Sequence, residues 1–416
     1  MLAYEKEIEL DLSDSYAPNF LNKQLYRSTE DGWYDFVLKA PEDGQAYPNT
    51  CVPIAGIIEY YRSKGYEITC DWVNSPYSYI GHTRLENPFT VDTDEGVRRL
   101  ERPLDVVWRF EDSSDIKKLV DATRDCILES YDVEEGVLTG IEWCLYEIMD
   151  NVLQHSDASC GFYMGQFTSF NRRLSLCVFD NGRGIFSSLK SSKKHSPRTA
   201  LDAITLALQE CVTRDESIGQ GNGMWGFSEV VRLNGGSYSV SSNGAKVYFS
   251  EEGSFPNERG GFYYGSDSLG TTLVDFQLDC SHSIDVAQAL RQDPTRLWLE
   301  DMEDPAGREY VLSIASESAG TGTRQAAERI RHKASNIIRE GDKLLVLDFE
   351  NVNLVSSSYA DELIGKLVAE IGFSVFNSYC QLRNLTSLNQ QVIDRSVQQR
   401  MAQEYYDEPP MDDEAE

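Results

Sequence analysis

Long apolar runs are missing from this chain. No segment approaches the roughly 18 apolar residues that a membrane helix needs, and the opening MLAYEKEIELDLS has no apolar core. Neither a membrane span nor a signal peptide is expected. Basic residues are scarce: 38 Lys and Arg stand against 68 Asp and Glu in 416 residues, a formal net charge of −30. A surface this acidic repels DNA, RNA and anionic lipid, which argues against a nucleic-acid or membrane partner for the molecule as a whole. Paired cysteines are missing too. The nine cysteines, an odd number, contain no C-x-x-C, so zinc-site spacing is absent and free thiols in a reducing cytoplasm are expected. A P-loop is found nowhere.

What remains is a globular composition, 41% hydrophobic and 11% aromatic, long enough for two to three domains. The acid is unevenly spread. The last 14 residues, Gln403 to Glu416, hold seven acids, no base, and Pro409-Pro410, which reads as a solvated, disordered tail. Gly307 to Ala402 holds eleven acids and eleven bases, leaving −23 for residues 1–306. Within those lies one reversal. Between Asp180 and Asp202 there is no acid, while Arg183, Lys190, Lys193, Lys194 and Arg198 are present.

The chain is expected to be α/β throughout. In residues 1–105, β-like runs at Ile8 to Leu12, Trp33 to Leu38 and Tyr66 to Trp72 flank a helix from Thr50 to Ser63, a small α/β module. Asn87 to Arg102, with Pro88 inside it, Pro103 directly after it and many charges, reads as a linker. Residues 106–282 form a second domain: helices at Ser114 to Ser130 and Glu134 to Ser156, then strands at Gly161 to Phe167 and Arg173 to Asp180. Helices follow at Pro197 to Val212 and Met224 to Leu233, then strands at Ser237 to Ser242, Lys246 to Ser250 and Thr271 to Leu278. Residues 307–402 alternate strand and helix, with strands at Tyr310 to Ala315 and Lys343 to Phe349 and helices at Arg324 to Arg339, Asp361 to Ile371 and Ser387 to Ala402.

Four places in the middle domain carry chemistry. Glu147, Asn151 and His155 are spaced four apart and share one helical face. A carboxamide there can complete an octahedral Mg²⁺ whose other ligands are phosphate and water, and a carboxylate one turn earlier can take a proton from an attacking hydroxyl. A solvated polar face with i,i+4 pairs is the plain alternative. Asp180-Asn181-Gly182-Arg183-Gly184 follows a buried strand, where an acid can accept from an exocyclic amino group and glycines admit a planar ring. A hairpin turn is the alternative. Gly219-Gln220-Gly221-Asn222-Gly223 precedes a helix, presenting N–H groups to phosphate. Its G-x-G-x-x-G (Gly221, Gly223, Gly226) follows a loop rather than a strand, so a dinucleotide fold does not fit. Gly270-Thr271-Thr272 opens the last strand.

In this order the four resemble the Bergerat-type ATP-binding fold of the GHKL group: gyrase B, Hsp90, histidine kinases and MutL. The E-x-x-x-N-x-x-x-H spelling is most similar to anti-sigma-factor serine kinases. The resemblance implies an α/β sandwich that binds ATP with Mg²⁺. It makes Glu147 the catalytic base and Asn151 the metal-holding residue of the N box. Asp180, Gly182 and Gly184 become the first glycine box, Gly219, Gly221 and Gly223 the second, and Thr271 a partner of the adenine-site acid. It also makes the basic stretch an ATP lid, with Lys190, Lys193, Lys194 and Arg198 near the triphosphate. Helix Ser114 to Ser130 has no histidine, so a histidine autokinase is not expected. Homodimerisation is common in the group.

The third domain resembles the STAS-like domains joined to such ATPases in bacteria. The matching residues run from Val346 through Asp348-Phe349-Glu350 to Ser356-Ser357-Ser358-Tyr359. Ser357 aligns with the phosphorylated serine of anti-sigma-factor antagonists, but Ser356 replaces the acid and Tyr359 the glycine of their D-S-S-G. Helix capping by the serines is the alternative. Residues 1–105 are read as a diverged module of the same kind. The expected role is an ATP-dependent regulatory protein, an ATP hydrolase or phosphotransferase acting on protein partners through the STAS-like domain. An ATP-sensing scaffold without turnover and a serine kinase of a partner-switching module are the alternatives.

Overall fold

The computed structural model describes residues 5–41, 44–74, 79–192, 195–210, 223–260, 270–291, 299 and 302–407. The chain divides into two units, Met1–Arg124 with Thr139–Asp293, and Asp125–Leu138 with Pro294–Glu416.

The first unit opens with a parallel sheet of β1 (Lys6–Glu9), β2 (Asp35–Lys39) and β3 (Glu67–Cys70), in that order. Parallel neighbours need crossovers, and α1 (Ala17–Glu30) and α2 (Pro48–Ser63) supply them. Pro48 sits in the first turn of α2, where a missing N–H costs nothing, and Gly65 turns the chain away at φ 87°. Apolar spacing in the sequence marks α2 and the strands but not α1. Its buried apolar line is only Ala17, Leu21 and Leu25 in an otherwise polar segment, a stripe one residue wide.

Next come α3 (Tyr79–Thr83), β4 (Phe89–Thr90), α4 (Asp94–Arg99) and β5 (Trp108–Phe110). The linker expected at Asn87 to Arg102 is thus corrected. It contributes an edge strand and a short helix, capped by the Thr93 hydroxyl on the Gly96 N–H at 3.0 Å. A two-residue strand leaves no periodicity to detect.

The remainder consists of α5 (Ser113–Ser130), α6 (Val137–His155), β6 (Gly161–Thr168), β7 (Arg173–Asp180), α7 (Gly184–Lys190), α8 (Ala200–Ala207) and α9 (Gly223–Leu233). These are followed by β8 (Ser237–Ser242), β9 (Ala245–Ser250), β10 (Gly253–Asn257), β11 (Thr272–Asp279) and α10 (Val286–Leu290). The strands form one sheet in the order β10-β9-β8-β11-β7-β6-β5-β4, antiparallel except between β4 and β5. Strand alternation gives the sheet two apolar faces. Phe162, Met164, Cys177 and Phe179 pack on α2 and the first sheet. The opposite face carries Tyr163, whose hydroxyl meets that of Thr123 on α5 at 2.9 Å, and Phe276, whose ring centroid lies 5.1 Å from that of Phe227 on α9. A buried ion pair, Arg124 to Glu142 at 3.1 Å, ties α5 to α6.

The second unit holds a parallel sheet of β12 (Glu309–Ser313), β13 (Leu344–Asp348) and β14 (Cys380–Arg383). Its helices are α11 (Ile314–Glu317), α12 (Arg324–Glu340), α13 (Ser357–Ala360), which widens to a π turn at Asp361–Gly365 and continues as α14 (Lys366–Ile371), then α15 (Phe373–Tyr379) and α16 (Ser387–Asp407). Helix α12 grips residues 128–138. Buried Asn336 donates to the Leu128 and Tyr131 carbonyls at 3.0 and 2.9 Å and accepts from the Val133 N–H at 3.0 Å. Glu340 accepts from the Leu138 N–H at 3.0 Å. Among the described residues no helix is long and apolar enough to cross a membrane.

Gly56 fixes the spacing between α2 and the large sheet, since a Cβ there would lie 2.3 Å from a Phe179 ring carbon. Gly56→Val should cost about 1–3 kcal/mol by overpacking, seen as a lowered midpoint in thermal unfolding. An unchanged midpoint would mean that this contact does not set the packing distance.

Candidate functional site

Helix α6 carries Glu147, Asn151 and His155 on one face, as their spacing requires. The Glu147 carboxyl is held above its ordinary value, chiefly by burial and then by the nearby Asp150 charge. Gly223 opens α9 directly beside it: a Cβ there would lie 2.2 Å from Glu147 Oε2 and 3.8 Å from Asn151 Nδ2. Asn151 Nδ2 is buried and has no hydrogen-bond partner among the described residues. A buried amide donor without a partner is costly, and this one lies beside a carboxylate and the start of α9.

Asp180 ends β7 with 2% of its surface exposed. Tyr163 pairs with Val178 across the β6–β7 ladder and faces α5, and strand alternation puts Asp180 on that same face. Burial pushes the Asp180 carboxyl up to about 7, partly offset by the Gly182 N–H, which donates at 2.8 Å, and by the Thr272 hydroxyl. Thr272 lies directly opposite Asp180 in the ladder, and Ser242 opposite Thr272, so the three form one cross-strand row.

The turn after β7 is stitched to the end of α6. The Arg183 N–H donates to the Ser156 carbonyl at 2.7 Å, and Arg183 Nε to the His155 carbonyl at 3.1 Å. This approach admits no side chain at Gly182, whose Cβ would sit 2.2 Å from the Ser156 oxygen. Gly184 adopts φ 74°, and a Cβ there would lie 2.1 Å from Asn243 Oδ1. Asn243 holds the start of α7 by accepting from the Phe186 N–H at 3.1 Å, while the Ser242 hydroxyl accepts from Ile185 N–H at 2.9 Å and donates to the Thr271 carbonyl at 2.8 Å. Asn181 reaches the other way, donating to the Gly56 carbonyl of α2 at 2.9 Å.

The site residues named from sequence therefore divide. Glu147, Asn151 and Gly223 are neighbours, and Asp180, Gly182, Gly184 and Thr271 belong to a second cluster built on the end of the sheet and joined to α6 through Ser156. Lys193, Lys194, Gly219 and Gly221 lie outside the described residues. Lys190 stacks its ammonium 5.4 Å from the Phe186 ring centre, and the Arg198 N–H donates to Asp202. Thr272, Ser242 and Asn243 were not singled out. Asn243-Gly244 is a hairpin-turn signal between two strands, and its side chain becomes part of the site only through pairing that sequence does not state. Among the described residues no group of three or more His, Cys, Asp or Glu is placed to hold a metal ion. Asn151 with phosphate and water would be a ligand set of another kind.

In the second unit Ser356 is the helix cap. Its hydroxyl accepts from the Tyr359 N–H at 3.1 Å and donates to the Gly322 carbonyl at 3.0 Å, while Ser357 and Ser358 are exposed. Tyr359, where the resemblance expects glycine, is buried with its hydroxyl on Ser318 at 2.9 Å. A family model described as a STAS-like domain of unknown function (DUF4325) matches residues 326–389, from α12 into the start of α16. The C-terminal part of the chain is STAS-like. No curated protein matches the chain.

Asp180 gives a pH signature. The folded chain keeps a proton up to about 7 that an unfolded carboxylate, near 3.8, has released. Its stabilising contribution is complete below the unfolded value and is lost as pH rises through about 7. Asp180→Asn cannot ionise, so it should flatten that part of the stability–pH curve and raise the unfolding midpoint at alkaline pH. A curve identical to wild type would remove Asp180 as its source.

Proposed function

We propose that the first unit binds ATP with Mg²⁺ and turns it over, and that this controls how the STAS-like unit engages protein partners. The observation that carries the reading is the pairing of a buried strand-end carboxylate, Asp180, with a helix bearing Glu147 and the unpartnered amide of Asn151, each flanked by glycines at which a Cβ would collide. A sheet with helices on its Tyr163 face is compatible with the α/β sandwich that the resemblance to the Bergerat-type fold implies.

When bound, Mg-ATP supplies a terminal phosphoryl group activated for transfer to water or a hydroxyl. In this reading Asp180, as the carboxylate, accepts from the exocyclic amino group of adenine, and Gly182 and Gly184 let the turn after β7 close on Ser156 and Asn243, which positions that carboxylate. Asn151 offers its side-chain oxygen to the metal. Glu147, its pKa raised by burial, is a stronger base than an exposed carboxylate and removes the proton of the attacking hydroxyl. The N–H groups opening α9 at Gly223 face phosphate, with Lys193, Lys194, Gly219 and Gly221 assigned to the same role by resemblance alone. A histidine autokinase is not proposed. The exposure of Ser357 at a helix start favours one second reading, phosphotransfer to that serine.

Asp180→Ala removes a charge-assisted hydrogen bond worth roughly 1.5–3 kcal/mol, and should weaken ATP binding on the order of 10- to 150-fold in calorimetric titration. Undiminished affinity would sink the adenine assignment. Glu147→Gln should retain ATP binding while losing turnover, measured by incubating the protein with Mg-ATP and following free and protein-bound phosphate separately. Turnover that survives the substitution would exclude Glu147 as the base. Label on protein rather than in solution would identify phosphotransfer.

A further inference from the structure

The second unit contains a cleft of about 810 Å³ between the helical run that begins at Ser357 and helix α16. Its size falls in the range of small-molecule pockets, roughly 300–1,000 Å³. Three arginines line it, Arg324, Arg395 and Arg400, against one carboxylate, Asp361. Residues 307–402 hold as many bases as acids, so this excess of positive charge is local to the cleft.

The carboxylate is already committed. Arg400 meets Asp361 through Nε and Nη2 at 2.7 and 2.8 Å, and Arg324 Nη1 lies 3.1 Å from Oδ2, the oxygen that Arg400 Nη2 also meets. The Arg400 guanidinium accordingly holds the Asp361 carboxyl below its ordinary range. Two guanidiniums share one carboxylate, with Glu362 at 3.4 Å assisting on Arg324. Arg395 is exposed and has no hydrogen-bond or ion-pair partner among the described residues. Ser357 and Ser358, also in the lining, present exposed hydroxyls, and as first-turn residues their N–H groups have no carbonyl in a preceding turn. Ser356 satisfies only the Tyr359 N–H. The π turn at Asp361–Gly365 carries Asp361 to the cleft, and Gly365 admits α16: a Cβ there would be 3.2 Å from Arg400 Cγ. Turns of this kind recur at functional sites.

We propose that this cleft binds a phosphorylated small molecule, its phosphate held by Arg395 and Arg324 with the Ser357 and Ser358 hydroxyls and N–H groups. Guanidinium forks and hydroxyls are the groups that recognise a tetrahedral dianion, and a cleft of this volume suits a compact ligand. The cleft is built from residues of the second unit alone, and its assignment does not rest on the ATP reading.

The test is hydrogen–deuterium exchange of the full chain titrated with inorganic pyrophosphate and, separately, with AMP. Either ligand should protect peptides covering residues 354–362 and 388–400. Stronger protection by AMP would identify a nucleotide as the ligand class, and equal protection would place recognition in the phosphate alone. Arg395→Ala, which breaks no hydrogen bond or ion pair among the described residues, should raise the half-saturating concentration about tenfold or more, with Arg395→Lys retaining most of the binding. Absence of protection from both ligands at millimolar concentration, or the same half-saturation in Arg395→Ala, would overturn the proposal. Protection confined to peptides around residues 147–151 would also overturn it, without touching the ATP reading.

Discussion

The contact on which the first unit's site depends is the docking of the turn after β7 against the end of α6. The Arg183 N–H bond to the Ser156 carbonyl exists only because Gly182 lacks a Cβ that would otherwise lie 2.2 Å from that oxygen. Everything else is referred to this junction. It fixes where Asp180 stands relative to the helix bearing Glu147 and Asn151, and it sets the start of α7, which Asn243 and Ser242 then hold from the neighbouring hairpin. Arg183 closes the junction twice, through its N–H on the Ser156 carbonyl and its Nε on the His155 carbonyl.

The electrostatics follow from the same burial. Asp180 and Glu147 both sit where the charged form is poorly solvated, so both carboxyls are raised. On the exposed surface a net charge of −30 does little to local chemistry, because water and salt screen it. Inside, a single carboxylate without a cation is an invitation to a donor. In the second unit the balance is reversed: guanidiniums outnumber the acid beside Ser357, and that acid is shared between two of them.

Much of the secondary structure was legible in the sequence. Helices α2, α6 and α9 have wide apolar stripes, α12 has Ala327, Ile330, Ala334 and Ile337 at helical spacing behind the Thr323 cap, and the bounds of β7 and β8 match to the residue. Elements with little to show were missed: α1 with its narrow stripe, β4 with two residues, β14 with four, and β10 on an exposed edge. In the site, Glu147 and Asn151 were found because spacing on a helix states their common face. Thr272 was not, because its bond to Asp180 is a matter of strand register, and register is set by pairing partners distant in sequence.

The sequence by itself determined local order and chemistry: which segments are helical, which acids lie one turn apart, where glycines cluster, and which stretch is free of acid. It determined the STAS-like character of the C-terminal part through a contiguous pattern. Only the tertiary structure decided which of these groups meet. The cross-strand row of Asp180, Thr272 and Ser242 joins residues separated by up to 92 positions, and the arginines beside Ser357 come from α12 and α16. Contacts of that kind are fixed by how sheets and helices bury their apolar faces against one another, a global constraint that no local window of sequence contains.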